Sequence, residues 1–330
     1  MEYDYPWHRE QWDQLRRRAR QQRLPHGLLL TGPAGIGKRA FAEAFARALL
    51  CQSPVPDGHA CGTCAACRLL EAGTHPDCSV VVPLEDKTHI VIDQIRDLSR
   101  ALGYKSHAGG YKVAILVPAE QLNHAAANSL LKTLEEPSDN TLLMLITERP
   151  ARLPATIRSR CQQVRFPAPS IDEGSAWLAT RIESSDPVLL LKLADGAPLQ
   201  ALQLAQDDTL HKRGQWLEQL LQLRRRQEDP IRVAADWSSD AQVRPLYWVG
   251  SFLMDLIRCK SGDVSPFKNS DLKDILQALS REIALPRLHE LLERTWQSYR
   301  LALQSSVNRQ LLLEEFLIQW AATPRPGASA

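Results

Sequence analysis

The chain has 330 residues, 44% of them hydrophobic and 24% charged, which is room for two or three packed domains. A formal net charge of +2 is too near neutral to argue by itself for a nucleic-acid or membrane surface. No apolar run approaches the roughly 20 residues a membrane span needs, and the opening Met1-Glu2-Tyr3-Asp4-Tyr5-Pro6-Trp7 reads as neither a secretory leader nor a transit peptide. Four of the seven cysteines fall between Cys51 and Cys67, which suggests metal more than disulfides in a cytoplasmic α/β protein.

Trp7, Trp12 and Leu15 recur at helical spacing and lead into Arg16-Arg17-Arg18-Ala19-Arg20, which reads as a solvated helix face. Phosphate contact by that run is the weaker alternative. Leu24-Pro25-His26-Gly27 turns the chain into the apolar Leu28-Leu29-Leu30. Next comes Gly32-Pro33-Ala34-Gly35-Ile36-Gly37-Lys38-Arg39, followed by helical spacing through Phe41, Phe45 and Leu49. Strand, glycine-rich turn and helix in this order form a P-loop, in which backbone N–H groups and a helix N-terminus cradle phosphate. Gly32, Gly35, Gly37 and Lys38 fit that pattern. The position after the lysine normally carries Ser or Thr, whose hydroxyl holds Mg²⁺. Here it is Arg39, which has donors only.

Cys51 and the run Cys61-Gly62-Thr63-Cys64-Ala65-Ala66-Cys67 supply four thiolates, enough for a closed tetrahedral zinc site of structural type. Gly58 and Gly62 permit the tight turns such a module needs. His59 and His75 are possible substitutes that a complete cysteine set makes unnecessary. Cys78, Cys161 and Cys259 read as core residues. Val80-Val81-Val82 is expected to be a buried parallel strand, Asp93 to cap a helix bearing Ile95, Leu98 and Leu102, and Lys112–Val117 to form a third strand.

At the end of that strand a P-loop ATPase carries an Asp for Mg²⁺ and then a Glu that polarises water. This chain has Val117-Pro118-Ala119-Glu120, and Glu120 comes too late. A helix through Leu122, Ala126, Leu130 and Leu134 stops at Pro137. Thr141–Thr147 is the fourth strand, with Thr147 at the end where open α/β sheets bind ligands. Arg158-Ser159-Arg160-Cys161 leads into a last strand, Gln163–Phe166.

Four segments together resemble the AAA+ clamp-loader subunits of bacterial DNA polymerase III: Tyr5-Pro6-Trp7, the four-cysteine insertion, Leu130-Leu131-Lys132-Thr133-Leu134-Glu135-Glu136-Pro137, and Ser159-Arg160-Cys161. The likeness covers the first half of the chain and weakens to Asn308-Arg309-Gln310-Leu311-Leu312 beyond it. It implies an AAA+ parallel sheet domain at 1–166 with a zinc module at 51–67, a helical lid at 167–207 and an all-α collar at 208–330. It also implies that Arg160, within the Ser159-Arg160-Cys161 motif, is an arginine finger acting in trans on ATP held by a neighbouring subunit, and that Thr147 stands at the first sensor position.

The implied partners are the motor subunits (tau/gamma), the delta subunit, the sliding clamp and, through a hetero-pentamer, primer-template DNA. The implied setting is the cytoplasmic, nucleoid-associated replisome, within a nucleotidyltransferase holoenzyme. Arg39, Val117 and Pro118 point to a member that does not hydrolyse ATP itself, and Leu199 after Gly196-Ala197-Pro198 stands where motor subunits carry a sensor arginine. An ATP-binding or ATPase motor subunit is the alternative. Lys38 leaves open whether the loop holds ATP or ADP. A zinc-dependent nucleic-acid module is disfavoured because Arg68 is the one positive charge beside the cysteine loop.

In the second half, Phe166-Pro167-Ala168-Pro169 reads as a linker and the short helices to Asp207 as the lid. Long amphipathic segments follow. Arg224-Arg225-Arg226 reads as a solvated face, Asn308 as the cap of a last helix, and Pro324-Arg325-Pro326-Gly327 as a low-complexity tail.

Overall fold

Leu28–Leu30, Val113–Leu116 and Leu142–Ile146 carry no polar residue, and a strand of that kind must be covered on both faces. The computed structural model does this with a five-stranded parallel sheet. It describes residues 5–85, 87–107, 109–183, 186–240, 244–263, 267–304 and 307–324. Arg325 to Gly327 of the expected tail and Met1 to Asp4 lie outside the described residues.

In chain order the first part comprises α1 (Arg9–Arg20), β1 (Gly27–Thr31), α2 (Lys38–Leu50), α3 (Ala65–Glu71), β2 (Cys78–Val81) and α4 (Ile92–Gly103). It continues with β3 (Lys112–Leu116), α5 (His124–Glu135), β4 (Thr141–Thr147), α6 (Ala155–Arg158) and β5 (Gln162–Arg165). The strands lie in the order β2-β3-β4-β1-β5, with Gly27 opposite Leu143 and Thr31 opposite Thr147. Every residue of β1, β3 and β4 is buried. Leu29, Ala114, Leu116, Leu143 and Leu145 share a core with Ile95, Leu98 and Leu102 of α4 and with Leu130 and Leu134 of α5. The alternate strand residues face the other way, where α2 lies against β3 and β4.

Some expectations need adjusting. The Val80–Val82 run is not fully covered: β2 is an edge strand, and Val80 and Val82 are exposed. A β-branched run reads the same at an edge as in the middle of a sheet. Helix α4 starts after Val91, whose N–H donates to Gln94 Oε1 at 3.1 Å, so Asp93 is not its cap. Asp93 instead pairs with Arg96 on the exposed face.

The chain divides into compact units at 1–173 and 174–330, the division falling inside α7 (Ile171–Ala179). The second unit is helical: α8 (Pro187–Leu193), α9 (Pro198–Gln206), α10 (Thr209–Arg224), α11 (Pro230–Ser238), α12 (Arg244–Lys260), α13 (Lys273–Glu282), α14 (Leu285–Gln304) and α15 (Arg309–Ala321). Helix α12 packs on α13 and α14, and α15 on α10 and α11. Trp216, Trp237, Phe252, Phe316 and Trp320 fill the shared core. Asn308 caps α15 as expected, its side-chain oxygen accepting from Gln310 N–H at 3.0 Å.

Arg224 departs from the solvated face expected of its run. It is buried, lies over the Trp320 ring and pairs with Glu282, whereas Arg225 and Arg226 are exposed. No single helix among the described residues is long and apolar enough to cross a membrane.

Trp320 is fully buried and its indole N–H donates to Leu220 carbonyl at 2.8 Å. Trp320→Ala therefore removes both packing and a buried hydrogen bond, with an expected loss of about 3–5 kcal/mol for the second unit. Urea unfolding followed by tryptophan fluorescence measures it. A midpoint within error of wild type would contradict the packing described.

Candidate functional site

The glycine-rich loop runs from the buried end of β1 into α2. Gly37 precedes the helix with φ of +92°, and a Cβ there would stand 2.7 Å from the Tyr5 ring. A Cβ on Gly32 would stand 2.1 Å from the Phe166 carbonyl oxygen. Both positions exclude a side chain for reasons beyond phosphate approach.

The opening residues fasten the loop. Trp7 indole N–H donates to Ile36 carbonyl at 2.9 Å, and the His8 ring packs edge-on against Phe41 and Phe166. Burial, chiefly, lowers the His8 pKa to about 3; its bond to the Ile36 backbone acts against this, and the Lys38 charge adds to it. Sequence reading placed Tyr5-Pro6-Trp7 in a family motif but gave no task to His8.

Lys38, the first residue of α2, is buried. Its ammonium donates to Gly32 carbonyl at 2.8 Å and to Pro33 carbonyl. Burial lowers its pKa, opposed by Glu148 and then Glu120. Arg39 turns away along the helix surface, pairing with Glu43 at 2.8 Å and largely exposed. Thr147 closes β4 fully buried, beside Thr31 of β1, and its hydroxyl accepts from Arg149 N–H at 3.1 Å.

Val117 and Pro118 offer no side-chain oxygen after β3. Glu120 sits one short turn further on, where one carboxylate oxygen accepts from Glu148 N–H at 3.3 Å. Glu120 and Glu148 are thus the acids whose charge reaches Lys38, a grouping that strand-end spacing does not reveal.

The four cysteines converge. Sγ atoms of Cys51, Cys61, Cys64 and Cys67 all lie within 4.8 Å of one another, with Cys51–Cys64 at 3.9 Å and Cys61–Cys67 at 4.0 Å. A tetrahedral zinc with Zn–S near 2.3 Å sets its sulfurs about 3.8 Å apart, so the set fits that ion. Backbone N–H groups of Cys61, Cys64 and Cys67 point at the sulfurs of Cys51, Cys61 and Cys64, as thiolate ligands require. Hydrogen bonds from backbone N–H groups, Thr63 first and then Cys64, lower the Cys61 thiol to about 6.

His59 and His75 stand apart from the cluster. His59 stacks on Trp12 at 4.1 Å between ring centroids, and His75 Nδ1 accepts from Asp77 N–H. The cysteine module leans on α1 again where Arg16 donates to Pro56 carbonyl, and Arg18 donates to Gln162 of β5. The basic run is therefore partly structural, not wholly a solvated face.

Ser159-Arg160-Cys161 lies at the opposite end of the sheet from the loop. A Cβ on Gly27, the first residue of β1, would meet the Arg160 carbonyl at 3.3 Å and the Cys161 sulfur at 3.4 Å. Cys161 is buried, which raises its thiol to about 11 and suits a core role. Cys78 and Cys259, also expected in the core, are partly buried. Ser159 Oγ donates to Thr156 carbonyl at 3.1 Å. Arg160 is part-exposed, donating to Thr156 carbonyl at 3.0 Å and pairing with Glu135 of α5 at 2.6 Å. Leu199 falls in α9 of the second unit.

Residues 7–170 match the family model described as DNA polymerase III, delta subunit, and residues 207–322 match that of its C-terminal part. The chain is 39% identical to the DNA polymerase III subunit delta′ of Pseudomonas aeruginosa over 98% of its own length and 99% of the relative's. It is 33% identical to the subunit delta′ of Escherichia coli K12, over 98% and 97% of the two chains. A gamma subunit-related protein of Thermotoga maritima is a structural neighbour, with a TM-score of 0.47 at 19% identity over 95% of this chain and 100% of that one.

His8 yields a pH test. In the unfolded chain it gains a proton near pH 6.5, but when folded not until about pH 3. The unfolded state thus binds more protons between those values. The stabilisation is complete above pH 6.5 and is lost as pH falls toward 3, by up to about 1.4 kcal/mol per unit. Urea unfolding from pH 7 to 4 is expected to show a shallower decline for His8→Gln than for wild type. Equal slopes would mean that folding leaves the His8 pKa where it stands in the unfolded chain.

Proposed function

The chain belongs to the delta-prime family of DNA polymerase III clamp-loader subunits, and on that footing we propose that it completes a neighbour's ATP site without hydrolysing ATP at its own loop. The separation of Arg160 from the glycine-rich loop carries this reading. Arg160 borders the first residue of β1 and the loop follows the last. A five-residue parallel strand separates its ends by about 13 Å, further than an arginine side chain extends. Phosphate that Arg160 reaches is therefore phosphate held by another subunit. A planar, permanently charged guanidinium suits that task, because it stabilises charge spreading over the phosphoryl oxygens in the transition state.

The chain's own loop lacks the groups that hydrolysis needs. Arg39 is paired outward with Glu43, and neither Val117 nor Pro118 has an oxygen for Mg²⁺. Lys38 is engaged with carbonyls of its own loop. The motor-subunit alternative is disfavoured on the same grounds.

Association with clamp-loader subunits follows from the family. The fuller assembly is part of the proposal: a hetero-pentamer with tau/gamma motors and the delta subunit in the cytoplasmic replisome, acting on the sliding clamp and primer-template DNA. Within it, 1–166 serves as the AAA+ domain, 167–207 as lid and 208–330 as collar. Cys51, Cys61, Cys64 and Cys67 hold a zinc ion with no coordination position left for water, so the metal is structural.

Two measurements test the proposal. In a reconstituted clamp loader with clamp and primed DNA, Arg160→Ala is expected to assemble normally and lose most of the ATP turnover assigned to the site it completes; fingers of this kind contribute roughly 10³–10⁵ in rate. The isolated wild-type chain is expected to be silent. Turnover by that chain alone, or full activity of an assembled Arg160→Ala complex, would overturn the reading. Metal analysis of freshly purified, reduced protein is expected to find one zinc per chain and Cys64→Ser to lower its melting temperature. Metal-free wild type would remove zinc from the account.

A further inference from the structure

The carboxyl end of α5, Leu134-Glu135-Glu136-Pro137, has no task in the function proposed above. Two acids close a helix at the negative end of its dipole, a position where cations are favoured, so Glu135 is not there for the helix. Its carboxylate instead meets Arg160 Nη2 at 2.6 Å. The same guanidinium donates through Nη1 to Thr156 carbonyl at 3.0 Å and, at 3.4 Å, to Ser159 Oγ. Three anchors on two nitrogens fix the plane of the group. Among the described residues the Nε–H and a second Nη2–H have no partner and can meet phosphate.

We infer that Glu135 is a positioning residue that holds the Arg160 guanidinium in the orientation from which it meets a phosphate on the neighbouring subunit. The inference rests on the reading of Arg160 as a finger in trans. A long side chain loses much rotamer freedom when it is held, and a group held beforehand does not lose that freedom again in the transition state. The pair is partly exposed, with relative side-chain accessibilities of 36% and 49%. A pair of that kind adds little to stability, so its removal acts on orientation more than on folding.

The test uses the reconstituted clamp loader with clamp and primed DNA, comparing wild type, Glu135→Ala, Glu135→Gln, Arg160→Ala and the Glu135→Ala/Arg160→Ala double variant. For the share of turnover that Arg160→Ala removes, Glu135→Ala is expected to lower kcat about 3- to 10-fold with KM for ATP unchanged. Glu135→Gln, which keeps an acceptor oxygen, is expected to recover part of the loss. The double variant should be no slower than Arg160→Ala, and Glu135→Ala should keep the wild-type melting temperature.

An effect of Glu135→Ala that persists in the Arg160→Ala background would overturn the inference, as would an unchanged or raised kcat. An Arg160→Ala complex that is intact and fully active would instead overturn the finger reading on which the inference rests.

Discussion

A parallel sheet has two unlike ends, and every strand in this one runs the same way. The turn that can cradle phosphate follows the carboxyl end of β1, while the segment carrying Arg160 comes back to the amino end before entering β5. No side-chain adjustment within one copy brings the two together. On the function proposed above, the two features therefore serve different sites, the loop in this copy and Arg160 in its neighbour.

The two ends are maintained in different ways. At the loop, support is dense: Trp7 and Ile36 share a hydrogen bond, the Phe166 backbone lies against Gly32, and Lys38 is tied to the loop's own carbonyls. At Arg160 the backbone is packed hard against Gly27, but the guanidinium is half open and held by contacts with Glu135 and Thr156. Firm backbone thus lies beneath a charged tip that is open to solvent yet fixed in orientation by its neighbours, as the function proposed above requires. The cysteine module adds a third support, because its loop leans on α1 through the Trp12–His59 stack and the Arg16–Pro56 bond.

Features set by local chemistry were legible in the sequence. Unbroken apolar runs gave β1, β3 and β4, glycine spacing gave the loop, and cysteine spacing gave a cluster whose sulfurs do converge. What was missed depends on neighbours distant in sequence. A valine run cannot say whether it lies at a sheet's edge, as β2 does. An arginine triplet cannot say that its first member is buried against Trp320 and Glu282. Glu120 came at the wrong spacing for a catalytic acid, yet the fold brings its charge, with that of Glu148, to Lys38. Glu135 and Arg160 each sat in a recognisable motif, but their pairing exists only once α5 and α6 have packed.

The glycine-rich loop looks like the most local object in the chain, eight consecutive residues with a pattern of their own. Its supports are spread from Tyr5 to Phe166. It is therefore a feature of high contact order: the turn can be sketched as soon as residue 39 is made, but its shape is complete only when β5 has been laid beside β1 and the opening segment has closed over it. In a chain growing from its amino end, the motif written first is among the last to be finished.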